Sequence, residues 1–172
     1  MRDAVAADHD AVRALNNSAV PHVNELAPAE FAWIASHAGY FRVAEDDAGL
    51  IGFVIAFPPG LDYWSLNYRW FSERGGDFFY LDRVVVAEHA RNSGVGRALY
   101  EDIDRFASGT WSYITLEVNL KPPNPGSLAF HERLGFRQVG VREEESGTKS
   151  VALMERATVP SSSSTDRGGR SS

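Results

Sequence analysis

Three consecutive valines, Val84, Val85 and Val86, lead through a short turn into Arg91-Asn92-Ser93-Gly94-Val95-Gly96, and Arg97-Ala98-Leu99-Tyr100 then opens an amphipathic run. A β-branched run, two glycines and helical periodicity in that order describe a strand handed to a helix through a tight loop. The first turn of any helix carries N–H groups without intrahelical partners and the positive end of the helix dipole, so such a junction is suited to a phosphate or pyrophosphate. The same glycines also suit a tight turn that holds no ligand. Either way the strand needs sheet neighbours and the helix a sheet to lie on, which points to a β-α-β unit with a parallel pair and a right-handed crossover.

Two common phosphate loops fail on the letters. A dinucleotide fingerprint requires Gly-x-Gly-x-x-Gly or Ala, but Leu99 stands at the last position, and no acidic strand end follows at the expected distance. A nucleoside-triphosphate loop requires Gly-Lys followed by Ser or Thr, and that Lys is missing.

The 172 residues suit one domain, and a 44% hydrophobic content with four Trp supports a packed core. There is no cysteine, so disulfides, thiolate metal sites and a cysteine nucleophile are all excluded. The five His are scattered without ligand spacing, and no metal is expected. A net charge of −6 argues against a nucleic-acid partner, which binds mainly through Lys and Arg. No apolar run approaches a membrane span or a signal-peptide core, so a cytoplasmic protein with no membrane partner is expected.

The expected elements are a short strand in residues 1–5, a helix from residue 8 to about 17, and a second helix begun by Pro28 and closed by Gly39. A hairpin over residues 40–44 and 50–57 follows, then a strand at 79–86, a helix at 94–107 and a strand at 113–118. A short helix at 126–134 and a final antiparallel pair at 136–142 and 149–154 complete the order β-α-α-β-β-β-α-β-α-β-β. This reads as one α/β (α+β) domain over residues 1–157. The Ser/Gly/Arg-rich residues 158–172 are expected to form a disordered tail.

That order, with Arg-x-x-Gly-x-Gly after the fourth strand, is similar to the Gcn5-related N-acetyltransferase (GNAT) family over nearly the whole of residues 1–157. A second segment, Asn124-Pro125-Gly126-Ser127-Leu128-Ala129-Phe130-His131-Glu132-Arg133-Leu134-Gly135-Phe136, resembles the family's Asn-x-x-Ala-x-x-Phe-Tyr-x-x-x-Gly-Phe. The resemblance implies a mixed sheet of six to seven strands, splayed between strands 4 and 5. Its open edge at Val84, Val85 and Val86 would pair with the pantetheine arm of acetyl-CoA. It further implies that the amides of Asn92, Ser93, Gly94, Val95, Gly96 and Arg97 surround the pyrophosphate, that Arg91 and Arg97 offset its charge, and that Asn124 bonds the arm.

Acetyl transfer to an amine needs a group to take a proton from the nitrogen, another to protonate the departing thiolate, and N–H groups for the developing oxyanion. By resemblance Glu117 stands where the branch acetylating peptide amines carries its base. Asp82 lies on a strand that many relatives use for the purpose, and strand alternation expects Tyr80, Asp82 and Val84 on one face. His131 stands where the family has its acidic Tyr, seven residues after Asn124. With an ordinary pKa near ~6.5 against ~10 for Tyr, imidazole is an unusual substitute. Each residue also has a structural reading: Glu117 and Asp82 paired to arginines, His131 packed beside Phe130, Asn124 as a cap.

The aromatic stretch Tyr63-Trp64, Tyr68, Trp70-Phe71 and Phe78-Phe79 suits an apolar or cationic acceptor wall, a lid or a homodimer contact. Asn16, Asn17, His22 and Asn24 are candidate polar contacts. The expected activity is N-acetyl transfer to a primary amine of a small molecule or peptide. The alternative is an acyl-CoA-binding sensor or partner-binding module, and convergence of Glu117, Asp82 and His131 on one cavity separates the two.

Overall fold

The structure, a computed structural model, describes residues 1–158. The expected tail therefore lies, apart from Thr158, outside the described residues. The elements are β1 (Arg2–Asp3), α1 (His9–Ser18), α2 (Pro28–His37), β2 (Tyr40–Asp46), β3 (Gly49–Phe57), α3 (Leu66–Arg74), β4 (Phe78–Val86), α4 (Val95–Ala107), β5 (Tyr113–Lys121), α5 (Pro125–Arg133), β6 (Arg137–Glu143) and β7 (Ser150–Ala157). The expected order holds with one addition, α3. This helix is capped by Ser65, whose Oγ accepts from the Tyr68 N–H, and is ended by Gly75 at φ 75°. Its aromatic residues obscure the period, but the cap and the glycine are ordinary helix boundaries.

The seven strands form one sheet in the order β1-β2-β3-β4-β5-β7-β6. Every neighbouring pair is antiparallel except β4 and β5. On one face α4 buries Leu99, Tyr100, Ile103 and Ala107, and α5 packs beside it through Leu128 and Phe130. The other face is covered by α1, α2 and α3 through Val12, Phe31, Ile34, Tyr68 and Phe71. Burying each such large side chain contributes about 1.5–3 kcal/mol, so both layers are held by the same apolar contrast that the periodicity displays. Among the described residues no helix is long and apolar enough to cross a membrane.

Two irregularities in β4 shape everything that follows. It pairs with β5 only at Phe78 with Tyr113, Phe79 with Ile114 and Tyr80 with Thr115, although both strands continue well beyond. From Leu81 onward the two edges part. On the other side of β4, Ile55 pairs with Arg83 and Ala56 with Leu81, so Asp82 is the extra residue of a β-bulge. The bulge corrects the alternation expected from the sequence: Tyr80 packs in the α1–α3 layer, whereas Val84 packs in the α4 layer.

Candidate active site

A cleft of about 690 Å³ runs through the gap between β4 and β5. At one end stands the α4 junction. Gly94, at φ 91°, turns the chain into the helix, and Asn92 adopts a left-handed φ of 61°. The Arg91 N–H bonds the Glu88 carbonyl and the Ala98 N–H bonds Gly94. Among the described residues, the N–H groups of residues 92–97 make no main-chain or side-chain hydrogen bond of their own. Unpartnered N–H groups at a helix start are the donors from which anion-binding nests are built. The side chains of Arg91, Asn92 and Arg97 line this end, as do Gly94 and Gly96. Ser93 and Val95 do not: the Ser93 hydroxyl donates to the Ala90 carbonyl at 2.6 Å, and Val95 packs into the α4 core. Their contribution is confined to the main chain. Arg133, at the end of α5, joins the lining without having been singled out in the sequence.

The middle of the cleft is walled by Val84, Val85 and Val86 on β4 and by Leu116, Glu117 and Val118 on β5. The unpaired edges of these strands present free amides and carbonyls. Asn124 caps α5, its Oδ1 accepting from the Ser127 N–H at 3.2 Å, so the capping role is present. Asn124 is also among the residues lining the cleft.

Glu117, Asp82 and His131 all line this one cavity. Glu117 accepts a hydrogen bond from the Tyr80 hydroxyl at 2.6 Å. Burial, reinforced by the nearby Asp82 charge, raises its pKa to about 7, while Tyr80, the Asn67 amide and Arg83 pull the other way. Both oxygens of Asp82 are engaged, by the Tyr63 hydroxyl at 2.8 Å and by Arg83 Nε at 2.7 Å. Arg83 in turn donates to Asn16 Oδ1 at 3.0 Å. Asp82 and Arg83 thus form a buried, fully bonded pair, whereas Glu117 is the carboxylate poised between its two protonation states.

The environment of His131 is more constrained than its sequence position suggests. Its Nδ1 lies 2.7 Å from the Ser127 carbonyl and must carry the proton, which leaves Nε2 to accept from the Tyr100 hydroxyl at 2.5 Å. Burial lowers its pKa, so the ring is neutral. Neither nitrogen has a spare N–H for the cleft. Tyr100, which sequence reasoning passed over as part of the apolar stripe of α4, is among the residues lining the cleft, its hydroxyl bonded to His131. Its only signal was a phenol on a helix face where an aliphatic residue would pack as well.

At the far end the lining comes from the loop between α1 and α2 (Ala19, His22, Val23, Asn24), from Asn67 on α3, from Asn119, and from Lys149 and Val151. The aromatic stretch is not there. Tyr63, Tyr68, Phe71, Phe78 and Phe79 are buried, Trp64 packs against Trp33 and Tyr63, and Trp70 covers Gly140. They anchor α3 to the sheet, and the acceptor end is polar instead. Of the asparagines, Asn24 lines the cleft, Asn16 holds Arg83, and Asn17 caps the Leu26 N–H.

The model of the acetyltransferase (GNAT) family matches residues 9–136. The chain belongs to the GNAT family of acetyltransferases. Solved structures agree on the fold. The ribosomal-protein-S18-alanine N-acetyltransferase of Escherichia coli superposes with a TM-score of 0.68 at 17% identity, over 95% of this chain and 96% of its own. Ard1 of Thermoplasma volcanium gives 0.73 at 16%, over 92% and 96%. An aminoglycoside 6'-N-acetyltransferase complexed with coenzyme A gives 0.69 at 17%, over 91% and 93%. No curated protein matches the chain in sequence. As a GNAT member the protein is an acyltransferase.

Proposed function

We propose that this GNAT protein transfers the acetyl group of acetyl-CoA to a primary amine of a small molecule or peptide by direct attack in a ternary complex. The observation that carries this reading is the continuity of one cleft from the N–H nest at residues 92–97, along the open β4 and β5 edges, to Glu117. Acetyl-CoA supplies an activated acyl thioester. The nest, Arg91 and Arg97 hold its diphosphate, the Val84–Val86 edge pairs with the peptide-like arm, and Asn124 adds a side-chain amide. Gly96 leaves the loop without a Cβ at its inner surface.

Glu117 accepts the proton of the acceptor nitrogen, for which a pKa of about 7 is well matched near neutrality. Asp82, already bonded on both oxygens, holds Arg83 and shapes the bulge, while the open β4 edge offers N–H groups toward the developing oxyanion. Tyr100 Oη, whose one proton is held by His131 Nε2 at rest, turns that proton from Nε2 to the departing thiolate, while His131 stays fixed as its Nδ1–H tautomer. The Tyr expected at position 131 is thus replaced by a pair in which the phenol comes from α4. The convergence of these groups also separates an enzyme from a binding module. The test is thiol release from acetyl-CoA across a panel of amines, amino acids, peptides and polyamines, with the acetylated product identified by mass. A full panel without thiol release overturns the reading.

A further inference from the structure

Beyond the cavity's catalytic middle, the charges of its acceptor end are segregated. Glu117 and Asn119 on β5 and Val151 on β7 share one face of the sheet, because Glu117 pairs with Leu153 and Asn119 with Val151, and Lys149, just before β7, lines the same cleft. The inner end of this face holds the two carboxylates, Glu117 and Asp82. Its mouth holds Lys149, whose Nζ donates to Asn24 Oδ1 at 2.7 Å and, among the described residues, has no carboxylate within ion-pairing distance. An ammonium carries three donors, so at least two remain for a ligand. Arg142, one strand further out, is similarly bonded to the Asn67 amide oxygen at 2.6 Å rather than to an acid. Among the described residues, the cation beside the two carboxylates, Arg83, is committed to Asp82.

Resting on the acetyltransferase reading above, we infer that the acceptor is an amine carrying a carboxylate several bonds away. Its nitrogen is received at Glu117 and its carboxylate is bound by Lys149. Lys149 stands four positions before the residue opposite Glu117, about 13 Å of strand at ~3.3 Å per residue. That backbone span, with Lys149 tethered to Asn24 at the mouth, favours an acceptor whose amine and carboxylate are separated by several atoms. The α1–α2 loop is also tied down, since Asn119 Nδ2 donates to the His22 carbonyl at 3.3 Å and Lys149 bonds Asn24. This bridged entrance favours a slender acceptor over the broad surface of a folded protein.

The experiment compares 6-aminohexanoate, 6-aminohexanamide, hexylamine and glycine as acceptors for the full chain with acetyl-CoA, within a wider amine panel. The acid is expected to exceed its amide and hexylamine at least tenfold in kcat/KM, mainly through KM, with glycine poor. In Lys149→Met the ratio of acid to amide is expected to fall to near unity, and Lys149→Arg to retain most of it. Equal use of acid and amide by the native protein, turnover confined to other amines, or a preference intact in Lys149→Met overturns the inference while leaving acetyl transfer in place. Absence of turnover with every amine overturns the acetyltransferase reading and this inference with it.

Discussion

Glu117 illustrates how a single side chain is tuned by what surrounds it. Its pKa of about 7 in the folded protein lies above the ordinary 4.5, chiefly because burial disfavours the charged form. A carboxyl with a raised native pKa supports the fold fully below its unfolded pKa, and this support is lost as pH rises through about 7. Glu117→Gln is therefore expected to raise stability at pH 8 by up to about 3 kcal/mol, less what solvent in the cleft screens, and to leave it nearly unchanged at pH 4. Denaturant melts at the two pH values check this. In the same variant the rise of kcat/KM through pH 7 is expected to vanish, with the rate falling about a hundredfold or more and CoA affinity nearly constant. An unaltered pH profile would move the base elsewhere. Tyr100→Phe is expected to lower kcat about a hundredfold while changing CoA affinity by less than about threefold. Adding His131→Tyr, which returns a phenol to α5, is expected to recover part of that loss. A change confined to CoA affinity would make Tyr100 a packing residue. Position 131 was legible in the sequence as unusual, but its partner was not, because Tyr100 and His131 meet only when α4 and α5 pack side by side.

Among the elements, the β4–α4 junction is the one whose chemistry is almost wholly local. A Cβ at Gly96 would lie 3.7 Å from Phe130 Cζ and 3.9 Å from Val86 Cγ2, which is ordinary contact. Gly96→Ala is thus expected to fold normally, with stability unchanged or up to about 1 kcal/mol higher because Ala is the better helix former. Its CoA dissociation constant is expected to rise tenfold or more, as measured by calorimetry, since the methyl group occupies the inner surface of the nest. Unaltered affinity would place the diphosphate elsewhere. The loop could be read from the letters because strand, glycines and helix start are contiguous. The bulge at Asp82 could not be, because it exists only relative to β3: Asp82 becomes the extra residue when Ile55 takes Arg83 and Ala56 takes Leu81. The role of α3 was likewise hidden. Its aromatic residues resemble a ligand wall until Trp70 is seen against Gly140 and Tyr68 beneath the sheet.

At the scale of the whole molecule, the gap between β4 and β5 leaves strand edges unpaired through the middle of the domain, and the proposed function assigns these edges to the peptide-like arm of CoA. CoA at a hundred times its Kd is expected to stabilise the fold by about 2.7 kcal/mol, or about 5–10 °C in Tm for a chain of this size. ATP or NAD at the same concentration is expected to produce no comparable shift in a thermal melt. A shift with either nucleotide and none with CoA would contradict the assignment of the cleft. What the sequence alone determined was the chemistry available: glycines at a strand-to-helix junction, valines for a strand edge, carboxylates and an imidazole in motif positions, and no thiol. Those properties are carried by residues adjacent in the chain or by residue type. Tertiary structure alone decided which of them meet. The splay, the bulge, the pairing of His131 with Tyr100 and the segregation of Lys149 from Glu117 all arise from registers and packing between segments far apart in the chain, where no local pattern records the partner.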